Sequence, residues 1–262
     1  MKNFLLFFLI LFTFTQGYTQ SHSIKRLSME EGMSSNYTVD IEQDKEGYIW
    51  IATESGLNRF DGKTFTVYNK QNSGLINNDL HNILADSIEK KLWIATLRNG
   101  VYIYDYMTGE ITPFPIRNDS TDNSVRHLSL ASNKGIWITN SRHGIDYYDR
   151  TTKTITPYTD KEIKGLKMNG QLSMDDGQGH LYIGHNGEGL SILNLKDKSI
   201  RNYTYNPQDP YSIPNNVVNS ICIDNNKNIW IGTNHGLALF NPQNDEEKVQ
   251  FANRINELKE KY

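Results

Sequence analysis

The chain has 262 residues with 27 Lys and Arg against 30 Asp and Glu, a formal net charge of −3 that argues against a nucleic-acid surface. Apolar residues make up 37% of it and there is one cysteine, so any core must form without intramolecular cross-links. The first element is Met1-Lys2-Asn3 followed by the apolar run Phe4 to Thr15, too short to span a bilayer comfortably and suited to a secretory signal. Residues 1–20 are read as a signal peptide cleaved near Gly17 to Gln20, with an uncleaved anchor as the alternative, and the product is expected in the periplasm. Cys222 lies far from this region, so no lipid-attachment cysteine is present there.

Residues 21–245 are repetitive. Trp50-Ile51-Ala52, Trp93-Ile94-Ala95, Trp137-Ile138-Thr139, Tyr182-Ile183-Gly184 and Trp230-Ile231-Gly232 recur at steps of 43, 44, 45 and 48 residues. Each is followed by a glycine: Gly56, Gly100, Gly144, Gly189 and Gly236. A period of this size marks repeated supersecondary units.

In the first unit, Thr38 to Glu42 and Tyr48 to Thr53 are β-prone runs separated by turn chemistry at Asp44 to Gly47. Glu54-Ser55-Gly56 turns the chain into a third strand, Leu57 to Phe60, and Asp61-Gly62-Lys63 into a fourth, Thr64 to Tyr68. Four antiparallel strands per unit is the content of a β-propeller blade, and five blades are visible. Apolar spacing of three and four, which helical repeats need, is absent inside the units. Neither face of the second strand carries a charge, so both faces should be covered by neighbouring blades, with the tryptophans packed between them.

Ile24 to Leu27 and Gly32 to Asn36 parallel the end of the first unit, so the chain is expected to begin with an outermost strand that belongs to the closing blade. The last segment departs from the pattern. Residues 246–262 carry Phe251, Ile255, Leu258 and Tyr262 at helical spacing and are read as a short amphipathic C-terminal helix. The expected fold is all-β, with an open five-blade arc of a seven-bladed ring preferred over a closed five-bladed ring.

Asn36 to Asp61 and Asn216 to Phe240 resemble the two-component regulator propeller repeat, as does the connector Asn206 to Asn216. That resemblance implies the periplasmic sensor region of a hybrid two-component system, in which propellers detect oligosaccharides released from complex glycans. Membrane helix, histidine kinase and receiver sequences of that family have no counterpart here, so the chain is read as a fragment without enzymatic activity of its own.

Chemistry-bearing motifs are sparse. His180, His185 and Glu188 lack metal-ligand spacing, and Asp224-x-Asn226-x-Asn228 has Ile229 where a calcium loop needs glycine. No metal, cofactor or catalytic residue is expected. Superposed repeats instead point to the hairpins between second and third strands, where the residues change while the framework does not: Glu54, Arg98, Asn99, Arg142, His143, His185, Asn186, Glu188, Asn234 and His235. These form a candidate oligosaccharide-binding rim. First strands are expected to face the central channel with Val39, Ile41, Ile83, Leu128, Leu130, Leu172, Ile221 and Ile223. The alternative function is a propeller enzyme, lyase or glycosidase-like, acting from that channel. Self-association or further propeller blades are the expected protein partners.

Overall fold

The computed structural model describes residues 24–116 and 123–240. The signal peptide and the C-terminal amphipathic helix expected from the sequence lie outside them.

Blade one comprises β1 (Thr38–Gln43), β2 (Ile49–Thr53), β3 (Gly56–Phe60) and β4 (Phe65–Tyr68), and blade two β5 (Leu80–Asp86), β6 (Lys91–Thr96), β7 (Val101–Asp105) and β8 (Ile111–Phe114). Blade three comprises β9 (Val125–Leu130), β10 (Ile136–Asn140), β11 (Ile145–Asp149) and β12 (Thr154–Tyr158). Blade four comprises β13 (Gly170–Asp175), β14 (His180–His185), β15 (Leu190–Asn194) and β16 (Ile200–Tyr203), and blade five β17 (Val218–Ile223), β18 (Ile229–Thr233) and β19 (Gly236–Phe240). Each is an antiparallel meander in chain order. Blade five therefore has three strands among the described residues, where four were expected.

Two devices close the hairpin between second and third strands. The repeat glycines all take positive φ, and at Gly189 (φ 81) a Cβ would run into the carbonyl oxygen of Tyr203 on the neighbouring strand, so only glycine fits. The third residue after the aromatic clamps the turn from inside: Thr53, Thr96 and Thr233 each donate Oγ1–H to the carbonyl of the following glycine at 2.9 Å.

Blades pack face to face, and the register decides what meets what. Residues paired across β6 and β7 share a face, which puts Trp93, Ala95, Val101 and Ile103 on one side and Leu92, Ile94, Tyr102 and Tyr104 on the other. The first set packs on blade three, with Leu128, Ile136, Ile138 and Tyr148. The second packs on blade one, with Trp50, Ala52 and Leu57. Corresponding clusters join blades three and four around Trp137 and Leu193, and blades four and five around Tyr182 and Phe240. Five blades thus share four interfaces, and in each the repeat aromatic faces the following blade. Ring centroids lie 4.8 Å apart for Trp50–Tyr104, 5.4 Å for Trp93–Tyr148 and 5.9 Å for Tyr182–Phe240.

The indoles also hold their turns. Nε1–H of Trp50, Trp93 and Trp230 donates to Asp44, Asp86 and Asp224 at 2.7, 3.3 and 3.0 Å. Blade three has Ala131 at that place, and Trp137 donates at 3.3 Å to Asp175 of blade four.

At its two ends the arc is open. Ile41 is 64% exposed, whereas its counterparts Ile83 and Leu128 are 1% and 2% exposed against the preceding blade. Trp230, on the face a sixth blade would cover, is half-buried, and Cys222 beside it is exposed. Ile24 to Leu27 was expected to complete the last blade but forms no strand, and Ile24 is 97% exposed. The first strands pack in series, β1 on β5, β5 on β9, β9 on β13 and β13 on β17, which places this segment and β19 at opposite ends of the series.

Candidate ligand-binding rim and channel

In all five blades the first strand begins with a one-residue irregularity. Thr38 pairs with Thr53 and Asp40 with Ala52, leaving Val39 between them, and the same skip falls at His81, Arg126, Gln171 and Asn219. Such bulges re-aim a side chain. These five residues, with Asp40, Asn82, His127, Ser173 and Ser220, line a cavity of about 310 Å³ enclosed by the first strands of every blade.

This corrects the apolar channel expected from alternation alone. Ile83 and Leu128 are 1% and 2% exposed inside the interfaces between blades, Leu130 is 47% exposed and Ile41 lies on the uncovered face of blade one, so that of the expected residues Val39, Leu172 and Ile221 line the cavity, among polar neighbours. A one-residue skip exchanges the faces of a strand, and no residue type announces it.

The channel wall is stitched from blade to blade. Asp40 accepts from the backbone N–H of Ile83 at 2.8 Å and from Asn82 Nδ2 at 2.6 Å, and Asn82 Oδ1 accepts from the N–H of Leu128 at 2.7 Å. His127 Nδ1 accepts from the N–H of Ser173 at 3.4 Å. Leu172, the next in this series, has no polar atom to continue it. Burial raises the Asp40 carboxyl above its usual range, against the pull of those donors. Burial also lowers the His81 and His127 imidazoles, so both favour the neutral form. His81 Nδ1 meets the carbonyl of Arg126 at 2.8 Å.

Beside the channel, on the rim formed by the hairpins, a cleft of about 910 Å³ lies across blades two to four. Its polar wall is Ser124, Arg126, Ser141, Arg142, Lys167, Asn169 and Glu188, with Leu97, Leu166 and Met168. Three cations and one carboxylate therefore surround a space large enough for an oligosaccharide of a few units. Arg126 borders both this cleft and the channel cavity, and its buried Nε has no hydrogen-bond partner.

Of the residues expected on the rim, Arg142 and Glu188 come together in this cleft. Glu54 stays at its own hairpin, accepting from Ser35 Oγ at 3.3 Å, and Arg98 pairs with Asp79 at 3.4 Å while remaining 76% exposed. Asn99 bridges to Asn123, and Asn186 to Val217. Asn234 accepts from the bulged Asn219 at 2.7 Å, His235 from Asn215 at 2.9 Å, and His143 is half-buried in its hairpin. His180 and His185 stand at opposite ends of β14, and His180 meets Asp176 at 3.1 Å. Arg126, Lys167 and Asn169 were not singled out from the sequence, because they come from a bulge and from a connector between blades.

His185 is a correction. It is fully buried, because it occupies the strand position of Thr53, Thr96 and Thr233, not the hairpin tip. Ser191 donates its hydroxyl proton to Asn202 Oδ1 at 2.5 Å, so His185 Nε2–H must donate to Ser191 Oγ at 2.7 Å. Nδ1 is left buried without a partner, and burial pushes the imidazole down from 6.5 to about 4. The folded state resists a proton that the unfolded chain accepts. Stability is fully present above pH 6.5 and is lost as pH falls towards 4. The His185 share of the loss should reach roughly 3 kcal/mol, read as a urea midpoint that falls less steeply with acidification in His185→Gln, the remaining slope being owed in part to buried His127, which is also lowered to about 4.

The two-component regulator propeller model matches residues 32–55 and 212–235. Histidine kinase P4 of Formosa agariphila is 39% identical over 72 residues, 26% of this chain and 5% of that protein. The extracellular domain assigned to hybrid two component system BT3049 of B. thetaiotaomicron is 36% identical with a TM-score of 0.77, over 85% of this chain and 31% of that one. Virginiamycin B lyase from Staphylococcus aureus aligns at 12% identity and a TM-score of 0.61, over 79% of this chain and 67% of that one, a likeness of fold alone. The chain spans less than a third of the length of the first two relatives. No helix among the described residues is long and apolar enough to cross a membrane. Fold, repeat motif and these relatives agree: residues 32–55 and 212–235 match two-component regulator propeller repeats, and the described residues form an arc of five blades of that kind.

Proposed function

We propose that this chain is a periplasmic sensory module that binds a glycan-derived oligosaccharide in the rim cleft. The observation that carries the reading is that Arg126, Arg142, Lys167, Asn169 and Glu188, from blades three and four and the connector between them, converge on one polar cleft supported by a repeated framework. Arginine and asparagine present several fixed donors to hydroxyls or carboxylates, and Glu188 accepts from hydroxyls. The likeness to the extracellular domain of a hybrid two component system supports a sensory role. Signalling would rest with a kinase such as the curated relative's, and no catalytic step is assigned to this chain.

Calorimetric titration with a panel of neutral and uronic-acid oligosaccharides tests the reading. Arg126→Ala and Arg142→Ala should each weaken a cognate sugar on the order of 10- to 100-fold, the worth of one charged hydrogen bond. Asn234→Ala, outside the cleft, should leave affinity unchanged. Equal affinity in all variants overturns the cleft as the site.

The channel histidines favour a second reading, a lyase or glycosidase-like enzyme acting from the channel. Recovery of intact sugar after prolonged incubation rules it out, whereas cleavage abolished by His81→Ala and His127→Ala would establish it.

A further inference from the structure

The two open ends of the arc are the two halves of one interface. Within the chain Trp50, Trp93 and Trp137 each have two kinds of partner, and Tyr182 has the second of them. One is the ring ending its own fourth strand or lying within it: Trp50 meets Tyr68 at 6.0 Å, Trp93 meets Phe114 at 4.7 Å and Trp137 meets Tyr158 at 5.3 Å. The other lies at or one residue before the end of the third strand of the following blade: Tyr104, Tyr148, Leu193 or Phe240. Trp230 has neither among the described residues, and it is half-buried with half-buried Leu237 on the same face. At the other end, blade one presents Phe60, the counterpart of Tyr104, together with half-buried Ile49 and Ile41 at 64% exposure.

Local hydrogen bonds also say what residues 24–27 are. Ser28 N–H is accepted by Glu31 at 2.7 Å, as Asn69 N–H is by Asn72 at 2.8 Å and Thr159 N–H by Glu162 at 3.1 Å. The next N–H, of Met29, goes to Asn36 at 2.9 Å, as that of Lys70 goes to Asn78 at 2.9 Å. Asn69 and Thr159 directly follow the fourth strands β4 and β12. Residues 24–27 therefore stand where a fourth strand ends, lacking a sheet to join, and Leu27 corresponds to Tyr68 and Tyr158. Met33, 6% exposed, already fills the place that Leu75 takes at the entrance to blade two.

We propose that copies of this chain join head to tail: the indole face of blade five in one copy seats on blade one of the next, whose residues 24–27 add a fourth strand to β19. One placement satisfies everything at once. Leu27 and Phe60 of the second copy supply both partners that Trp230 lacks, and the edge of β19 gains a backbone ladder. The interface is heterologous, so it propagates until a ring closes.

Light scattering on the purified chain from about 1 to 100 μM, where an interface of ordinary size and modest quality assembles, should show mass rising with concentration. Alkylation of Cys222, beside Trp230, should slow in parallel. Leu237→Glu blocks one half of the interface and Ile41→Glu the other. Each variant alone should be monomeric, and an equal mixture should give a one-to-one dimer and nothing larger. Ile24→Pro, in a fully solvated segment, should weaken assembly at least tenfold without affecting the fold. A chain that stays monomeric throughout overturns the proposal, whether Cys222 is open or shielded by the chain's own residues. So does a mixture of the two variants that remains monomeric.

Discussion

Trp93→Ala is expected to lower the stability of the folded chain by about 3–5 kcal/mol, enough to remove much of the margin of an ordinary domain. The indole is fully buried between blades two and three, against Phe114 at 4.7 Å and Tyr148 at 5.4 Å, and donates Nε1–H to Asp86. Truncation removes roughly 150–250 Å² of buried ring surface and opens a cavity that β6 and β11, held by their own ladders, cannot collapse to fill. It also costs Asp86 one of its donors. Trp230→Ala is the internal control. That ring has the same turn partner but lies half-exposed on an open face, so its loss should be less than half as large. Chemical denaturation of the two variants at low protein concentration measures both. Equal losses would mean that the indoles act within their own blades and not between them.

Asp86→Ala should be nearly as damaging, by about 3–5 kcal/mol, for an electrostatic reason. Arg150 of blade three reaches into the interface and meets Asp86 at 2.7 Å, with side-chain exposures of 8% and 1%. Asp86 also accepts from the N–H of Ile88 at 2.9 Å and from Trp93 at 3.3 Å. Removing the carboxylate strands a guanidinium with little water and leaves those donors unpaired. Adding Arg150→Met should restore a large part of the loss, because an apolar side chain of similar length needs no counter-charge there. A double mutant no more stable than Asp86→Ala alone would show that the turn of blade two, not the pair, carries the effect.

How much was legible in the sequence differs element by element. The four-strand units, the register of β2 with β3 and the burial of Trp50, Trp93, Trp137 and Tyr182 follow from local pattern, since alternation and turn glycines act over a few residues. Arg142 and Glu188, which border the cleft, stand out in the sequence because hairpin tips fall at a fixed distance from each repeat aromatic. His185 was misplaced by one strand position, and counting from Tyr182 to the place of Thr53 would have put it inside the blade. Arg126 and His81 were missed because a bulge leaves no mark in composition. Lys167 and Asn169 were missed because connectors between blades vary in length.

By itself the sequence determined the blade: which residues turn, which alternate, and which aromatic must be hidden. Those choices rest on backbone sterics and on a hydrophobic pattern with a fixed period, both readable within one repeat. Only the tertiary structure decided which blade each aromatic faces, which side chains the bulged first strands turn into the channel, and that rim residues from three blades share one cleft. Such contacts join residues about one repeat period apart, as His81 meets Arg126 45 positions on, and are set by the wedge angle between rigid sheets. No local preference encodes that angle, which emerges only when buried faces have found their partners.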